Sequence, residues 1–154
     1  MALSYTAITD ERDIDILRGR TSQFQHFHYL YDDETLDFLK KNLRREGSLY
    51  LLAKDGENFA GFCSTDTEWW EDGWYFLREI FISPDFQKHG IGEELMRRCI
   101  SHAKKEKAQG VVTETAFENL PMQKLCEKCG FAQWKNPQWT EGITYKIWFQ
   151  SGGM

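Results

Sequence analysis

The stretch "SPDFQKHGIGEELM", residues 83–96, decides the fold. The apolar run "GWYFLREIFISP" leads into it, and apolar residues at helical spacing follow it. A strand therefore meets a helix across a loop that holds Gly90 and Gly92. A helix N-terminus carries N–H groups without intrahelical partners and the positive end of the macrodipole, so it binds phosphate where nothing bulky blocks the approach. The two glycines clear that approach. Lys88 and His89 add positive charge beside it, while Glu93 and Glu94 face solvent and serve the helix dipole. The loop reads as a pyrophosphate cradle, and its plain alternative is a glycine-rich turn with no ligand, since Gly-x-Gly alone is a weak signal. A Walker loop requires Gly-x-x-x-x-Gly-Lys-Ser/Thr, and the dinucleotide fingerprint requires a third glycine where Leu95 stands; neither fits.

Outward from this loop, the periodicity supplies the other elements. Ile91, Leu95, Cys99, Ile100 and Ala103 continue the helix, which ends before Gly110. "GVVTETAF" is a short buried strand, "PMQKLCEKCGF" a short helix stopped by Gly130, and "AQWKNPQWTEGITYKIWF" a closing hairpin. Upstream, "SLYLLAKDGENFAGFCSTDTEW" gives two strands around the turn Asp55-Gly56. "DDETLDFLKKNLRREG" gives a helix capped by Asp32 or Asp33, acids first and bases last, with Gly47 as its stop. An acidic amphipathic pattern over about 10–18 gives an earlier helix, and "TSQFQHFHYLY" between the two is ambiguous. This order implies an α/β (α+β) domain: a mixed central sheet of about six to seven strands flanked by about four helices.

The 154 residues suit one domain, taken as 1–150 with a frayed tail at 151–154. The net charge of −5 argues against general nucleic-acid binding, which needs a basic face. No apolar run approaches the ~18 residues of a membrane span, and the N-terminus lacks a signal-peptide pattern. A cytoplasmic location is expected, with Cys63, Cys99, Cys126 and Cys129 as reduced thiols.

"REIFISPDFQKHGIGEELM", followed about thirty residues later by "ENLPMQKLCEKCGF", resembles the GNAT superfamily of acetyl-CoA-dependent N-acetyltransferases. Gln87-Lys88-His89-Gly90-Ile91-Gly92 matches that family's Gln/Arg-x-x-Gly-x-Gly/Ala signature, entered through Ile82-Ser83-Pro84; Asn119 and Gly130-Phe131 match the downstream motif. The resemblance is specific over roughly 74–131. It implies that the amides of Gln87, Lys88, His89, Gly90, Ile91 and Gly92 hold the pyrophosphate of acetyl-CoA. It also implies that the main chain at Ile80, Phe81 and Ile82 pairs with pantetheine as an added strand. On the same resemblance Asn119 would hold the pantetheine arm or the turn beneath it, and Arg97 and Arg98 are candidates for the adenosine phosphates, or else solvated surface bases.

Transfer from a thioester to an amine needs a neutral amine and a proton for the departing thiolate. The resemblance places Glu79 where family members often carry a carboxylate facing the acceptor; its roles are general base or cation binding. The family's acidic tyrosine, seven residues after the asparagine, is replaced here by Cys126, which leaves the thiol, a tyrosine such as Tyr145, or water as the acid. Cys126 and Cys129 also spell Cys-x-x-Cys. Zinc would need two more ligands, with only the remote His26 and His28 as candidates. A redox pair belongs at a helix N-terminus, whereas this one precedes Gly130; two packing cysteines are the favoured reading, with no metal.

"DTEWWEDGWYFLREI" is acidic and aromatic, and in the family this region flanks the acceptor cleft. Glu68, Trp69, Trp70, Glu71 and Asp72 would suit a cationic amine through ion pairing and cation–π contact; a solvated turn with core or dimer-contact aromatics is the alternative. The expected protein is an N-acetyltransferase acting by direct attack of a small, cationic primary amine on acetyl-CoA, with neither nucleic acid nor membrane as partner and a homodimer as one possible state. A noncatalytic acyl-CoA-binding module and a protein lysine or N-terminal acetyltransferase are the competing expectations.

Overall fold

The computed structural model describes residues 1–21 and 30–150. The candidate ligands His26 and His28, most of the ambiguous segment after Thr21, and the 151–154 tail lie outside the described residues. In chain order the elements are β1 (Leu3–Ala7), a 3₁₀ helix (Glu11–Leu17), α1 (Asp33–Leu43), β2 (Leu49–Asp55), β3 (Asn58–Asp66) and β4 (Trp74–Ile82). A 3₁₀ turn (Pro84–Phe86), α2 (Ile91–Lys105), β5 (Gly110–Thr115), α3 (Leu120–Lys128), β6 (Ala132–Trp134) and β7 (Ile143–Trp148) complete them.

The strands form one sheet in the order β1-β2-β3-β4-β5-β7-β6, antiparallel except at the β4–β5 pair. This is the expected mixed sheet, with seven strands; three α-helices and the 3₁₀ helix at Glu11–Leu17 flank it. The sequence pattern leaves β1 out, because a five-residue edge strand with mostly exposed side chains has almost no apolar signature. The acidic pattern over 10–18 forms a 3₁₀ helix: Asp10 caps it by accepting from the Arg12 amide, and the chain leaves through Gly19 at φ +77°. Helix α1 begins as its sequence dictates, with the Asp32 side chain accepting from the Thr35 amide at 2.9 Å, acids in the first turn and Lys40 and Lys41 in the last.

The two faces of the sheet carry separate cores. Leu51, Cys63, Leu77 and Ile80 pack with Leu95 and Met96 of α2 and Cys126 of α3. On the other face Tyr50, Phe62 and Phe81 pack with Ile14, Leu36 and Leu39. Strand β4 is buried along nearly its whole length because both faces are covered.

Two irregularities in β4 create the space that matters. Ser64 pairs with Glu79 and Thr65 with Leu77, so Arg78 is an extra residue, a β-bulge. The bulge resets the alternation, leaving Leu77 and Ile80 toward α2 while Arg78 and Glu79 both stand on the α1 face. On its other edge β4 pairs with β5 only through Trp74↔Gly110, Tyr75↔Val111 and Phe76↔Val112. Beyond that point β5 follows β7 and β4 follows β3; at the fork the Thr113 hydroxyl donates to the Leu77 carbonyl at 2.8 Å. The sheet opens into a V.

Candidate active site

Strand β4, the loop before α2 and α3 enclose a cleft of about 780 Å³, within the range of small-molecule sites. One wall is Ile80, Phe81 and Ile82 of β4, and another is Asn119, Met122 and Leu125 of α3. Gln87, Lys88, Gly90, Ile91 and Gly92 close the end, and Gly19, Arg20 and Thr21 stand on the α1 side. His89 is exposed and outside this lining.

The loop enters α2 without a side-chain cap. Gly90 is the N-cap of α2 in the left-handed region, φ +78°, and no side chain caps the helix; the first helical bond runs from the Glu94 amide to the Gly90 carbonyl. The N–H groups of the first turn are thus left for a ligand. Lys88 also has positive φ, +66°, a conformation that costs a non-glycine residue about 1 kcal/mol or more. The glycines differ in role: a Cβ on Gly90 would meet nothing within 4 Å, whereas one on Gly92 would lie 3.3 Å from Leu125 Cδ2 and 3.8 Å from Ile80 Cδ1 and Ile82 Cδ1. Gly92 therefore keeps the cleft wide where the helix start approaches β4 and α3. Glu93 pairs with Arg97 and Lys128, both at 2.9 Å, and Glu94 with Arg98 at 2.7 Å, so Arg97 and Arg98 are occupied by surface ion pairs. Asn119 is buried at the N-cap of α3, where its side chain accepts from the Met122 amide at 3.3 Å.

Glu79 is buried beside the cleft on the α1 face, and the Tyr31 hydroxyl donates to its Oε1 at 2.5 Å. Next to it, Arg78 donates from Nε and Nη2 to Asp66 at 3.0 and 2.7 Å, and Asp66 also accepts from the Tyr50 hydroxyl at 2.8 Å. The guanidinium lies 5.0 Å from the Phe38 ring centre and 4.8 Å from that of Phe76. Arg78 is thus neutralised by Asp66 and held apart as a structural tie. Burial and the Asp66 carboxylate push the Tyr50 phenol far up, so it stays a hydrogen-bond donor.

A second carboxylate went unrecognised in the sequence. Glu114 of β5 is buried, faces Thr144 across the β5–β7 register, and accepts from Asn136 Nδ2 at 3.3 Å. The strand alternation places it on the same face as Val112, which packs with Trp74 and Phe76 of β4. Glu79 and Glu114 thus stand on the α1 face of the two diverging strands. An acidic residue inside "GVVTETAF" was the available signal, legible only once the fork was known.

Cys126 is fully buried in the core under α3 and lies outside the cleft lining; burial pushes its thiol well up. Tyr145 is also buried, with its phenol pushed up to about 12 by burial and by Glu127. All four cysteines are free thiols, and the sulfurs of Cys63 and Cys99 lie 3.6 Å apart. Among the described residues no three metal-ligating side chains converge. No helix among them is long and apolar enough to cross a membrane.

The acidic aromatic turn is engaged within the protein. Lys146 Nζ lies 3.6 Å from the Trp134 ring centre, 4.3 Å from Trp74 and 5.0 Å from Trp69, with Glu71 Oε2 at 3.6 Å. Trp74 Nε1 donates to the other Glu71 oxygen at 3.1 Å, and Trp70 stacks on Trp134. Glu68 pairs with Arg45 at 3.2 Å, and the Asp72 carbonyl accepts from Gln109 at 3.2 Å. None of these five residues lines the large cleft.

The same architecture occurs in solved acetyltransferase structures. The yncA structure from Salmonella typhimurium, with its cofactor acetyl-CoA, matches with a TM-score of 0.75 at 17% identity, covering 100% of this chain and 98% of that one. The ribosomal-protein-S18-alanine N-acetyltransferase from Escherichia coli matches with a TM-score of 0.75 at 17% identity, covering 99% and 98%. A mutant of the SpeG spermidine N-acetyltransferase from Vibrio cholerae matches with 0.69 at 18% identity, covering 96% and 94%. At these identities the likeness speaks for the fold. No curated protein matches the chain by sequence. The model of the acetyltransferase (GNAT) family matches residues 14–131, which takes in the bulged strand, the fork, the cradle and α3. That match covers more than half of the chain and every wall of the cleft, so this protein belongs to the GNAT acetyltransferase family and is an acyltransferase.

Proposed function

We propose that the protein transfers an acetyl group from acetyl-CoA to the primary amine of a small acceptor that arrives as an ammonium ion, by direct attack on the thioester. The observation that carries this reading is the fork between β4 and β5, with an uncapped helix start beyond the end of β4 and two buried carboxylates on the α1 face of the diverging strands. Family membership supports the donor, and the cleft volume suits a pantetheine arm lying along Ile80–Ile82 with its pyrophosphate on the amides of Gln87 to Gly92.

The acceptor enters from the α1 face. Glu79 takes the ammonium proton, directly or through one water, while Tyr31 fixes its orientation; Glu114 adds a second negative charge that favours the cation. The amine nitrogen then bonds to the thioester carbon, the C–S bond breaks, and as the nitrogen gives its second proton to water the CoA thiolate takes one back. Water supplies that proton in this reading, because Cys126 is sealed in the core. The Glu68–Asp72 turn gives the approach a negative field, although its charges are largely matched by Arg45 and Lys146.

Thiol release from acetyl-CoA, followed over a panel of primary amines and a set of short peptides, tests the proposal. Release that depends on a small amine and falls sharply in Glu79→Gln is expected. Release with peptides alone would move the acceptor to a protein terminus or lysine.

A further inference from the structure

The α1-side wall of the cleft carries a cation that the donor and base assignments leave unused. Arg20 lines the cleft with Gly19 and Thr21, and its guanidinium lies 4.8 Å from the Phe59 ring centre and 5.7 Å from that of Phe81. These two rings are stacked, 6.0 Å apart at an interplanar angle of 10°. Arg20 Nε donates to the Ile16 carbonyl at 2.8 Å, which fixes the plane of the group against the rings. Among the described residues no carboxylate lies within ion-pair distance of it, although Arg12, Arg18, Arg44, Arg45, Arg78, Arg97 and Arg98 all have one. It is a half-buried, oriented guanidinium facing a ligand cleft, with no counter-ion among the described residues.

Its place relative to the base gives it a use. Phe81 stands two residues beyond Glu79 on β4, a rise of about 7 Å. Both residues contact Tyr31: the Phe81 ring lies edge-on to it at 6.2 Å, and the Tyr31 hydroxyl bonds Glu79. Arg20, Phe81, Tyr31 and Glu79 thus form one row on the α1 face. In the donor reading given above, the phosphates of acetyl-CoA sit on the start of α2 and do not call on Arg20.

We infer that Arg20 receives an anionic group, a carboxylate or a phosphate, carried by the acceptor itself, so that the substrate is an amine bearing a negative end rather than a simple polycation. This rests on the acceptor reading given above. A planar guanidinium binds carboxylate or phosphate oxygens through paired N–H donors, and the stacked rings hold it in place without neutralising it.

The test pairs amines with and without the anion: amino acids of differing chain length against their carboxamides, and phosphoethanolamine against ethanolamine. Binding to the CoA-loaded protein is measured by calorimetry, and turnover by thiol release. Wild type should prefer the anionic member of at least one pair, and Arg20→Met should erase that preference, a loss on the order of tenfold to a hundredfold, with acetyl-CoA affinity unchanged. Arg20→Lys should recover part of it. No anionic preference in wild type, or one retained in Arg20→Met, would overturn the inference. Weaker binding of CoA with unchanged binding of dephospho-CoA in Arg20→Met would also overturn it, by assigning the guanidinium to a cofactor phosphate. Binding of an anionic amine that depends on Arg20, without acetylation, would leave the inference standing and remove the transfer reaction instead.

Discussion

The Lys146 ammonium lies 3.6 Å from the ring centre of Trp134, inside a box that Trp69 and Trp74 close from the other side of the β4–β5 seam. Burial lowers its pKa from the ordinary lysine value, an effect that Glu71 opposes. The side chain is only 4% exposed, whereas Glu71 is 37% exposed, so the two partners are unequal. Glu71→Gln strands a buried cation and should cost about 1–3 kcal/mol, while Lys146→Met removes that cation and leaves a carboxylate that water can reach, so it should cost less. Denaturant unfolding of the two variants gives the order. Because the folded-state pKa is below that of the unfolded chain, the unfolded state holds more protons in the interval between them. Wild type should therefore gain stability over Lys146→Met as pH rises through that interval toward ~10.4.

Glu79→Gln separates base catalysis from cation binding. If the carboxylate removes the ammonium proton, kcat/KM should fall about a hundredfold or more near neutral pH, and the deficit should shrink at alkaline pH, where free amine is plentiful. A loss of the same size at every pH would leave Glu79 as a binding group. Acetyl-CoA affinity, read by calorimetry, should not change, since Glu79 bonds Tyr31 on the α1 face and is not among the residues assigned to the donor.

Gly90 and Gly92 should respond differently to the same added methyl group. Gly90→Ala meets open space but forces a left-handed residue, so it should cost about 1 kcal/mol of stability and little donor affinity. Gly92→Val brings bulk between Leu125, Ile80 and Ile82, all of which line the cleft, and should abolish acetyl-CoA binding in a folded protein. Unchanged affinity in Gly92→Val would return the loop to a bare turn.

Much of this arrangement was legible in the chain. The strand, proline, glycine pair and helix over 82–96 carry their own punctuation, and the Asp32 cap and Asp55-Gly56 turn are local chemistry. What stayed hidden depends on contacts between distant segments. The Arg78 bulge is a register shift that no composition reveals, yet it sets the face on which Glu79 stands. Glu114 looked like an ordinary strand residue until β5 parted from β4. Lys146 is more than seventy residues from Trp74 and Glu71, so the occupancy of the acidic aromatic turn could not be read from that turn.

Cys126 tests how far a motif position carries a role when the residue type changes. It stands seven residues after Asn119, but its side chain is fully buried against the core of the sheet, and burial holds the thiol protonated. A proton that stays on sulfur satisfies one requirement of a general acid; contact with the leaving thiolate is the other, and the cleft lining does not include this residue. Cys126→Ala should therefore keep kcat within about tenfold of wild type while losing about 1 kcal/mol of stability to the missing sulfur. Cys126→Tyr, which would restore the family's residue type, should overpack the core by about 1–3 kcal/mol unless α3 shifts outward. Thermal unfolding and single-turnover kinetics on the same two variants separate the effects. A loss of several orders of magnitude in kcat for a stable, CoA-binding Cys126→Ala would mean that α3 moves during turnover and presents the thiol. Trapping an acetylated Cys126 that passes its acetyl group to the amine would replace direct transfer with a covalent route.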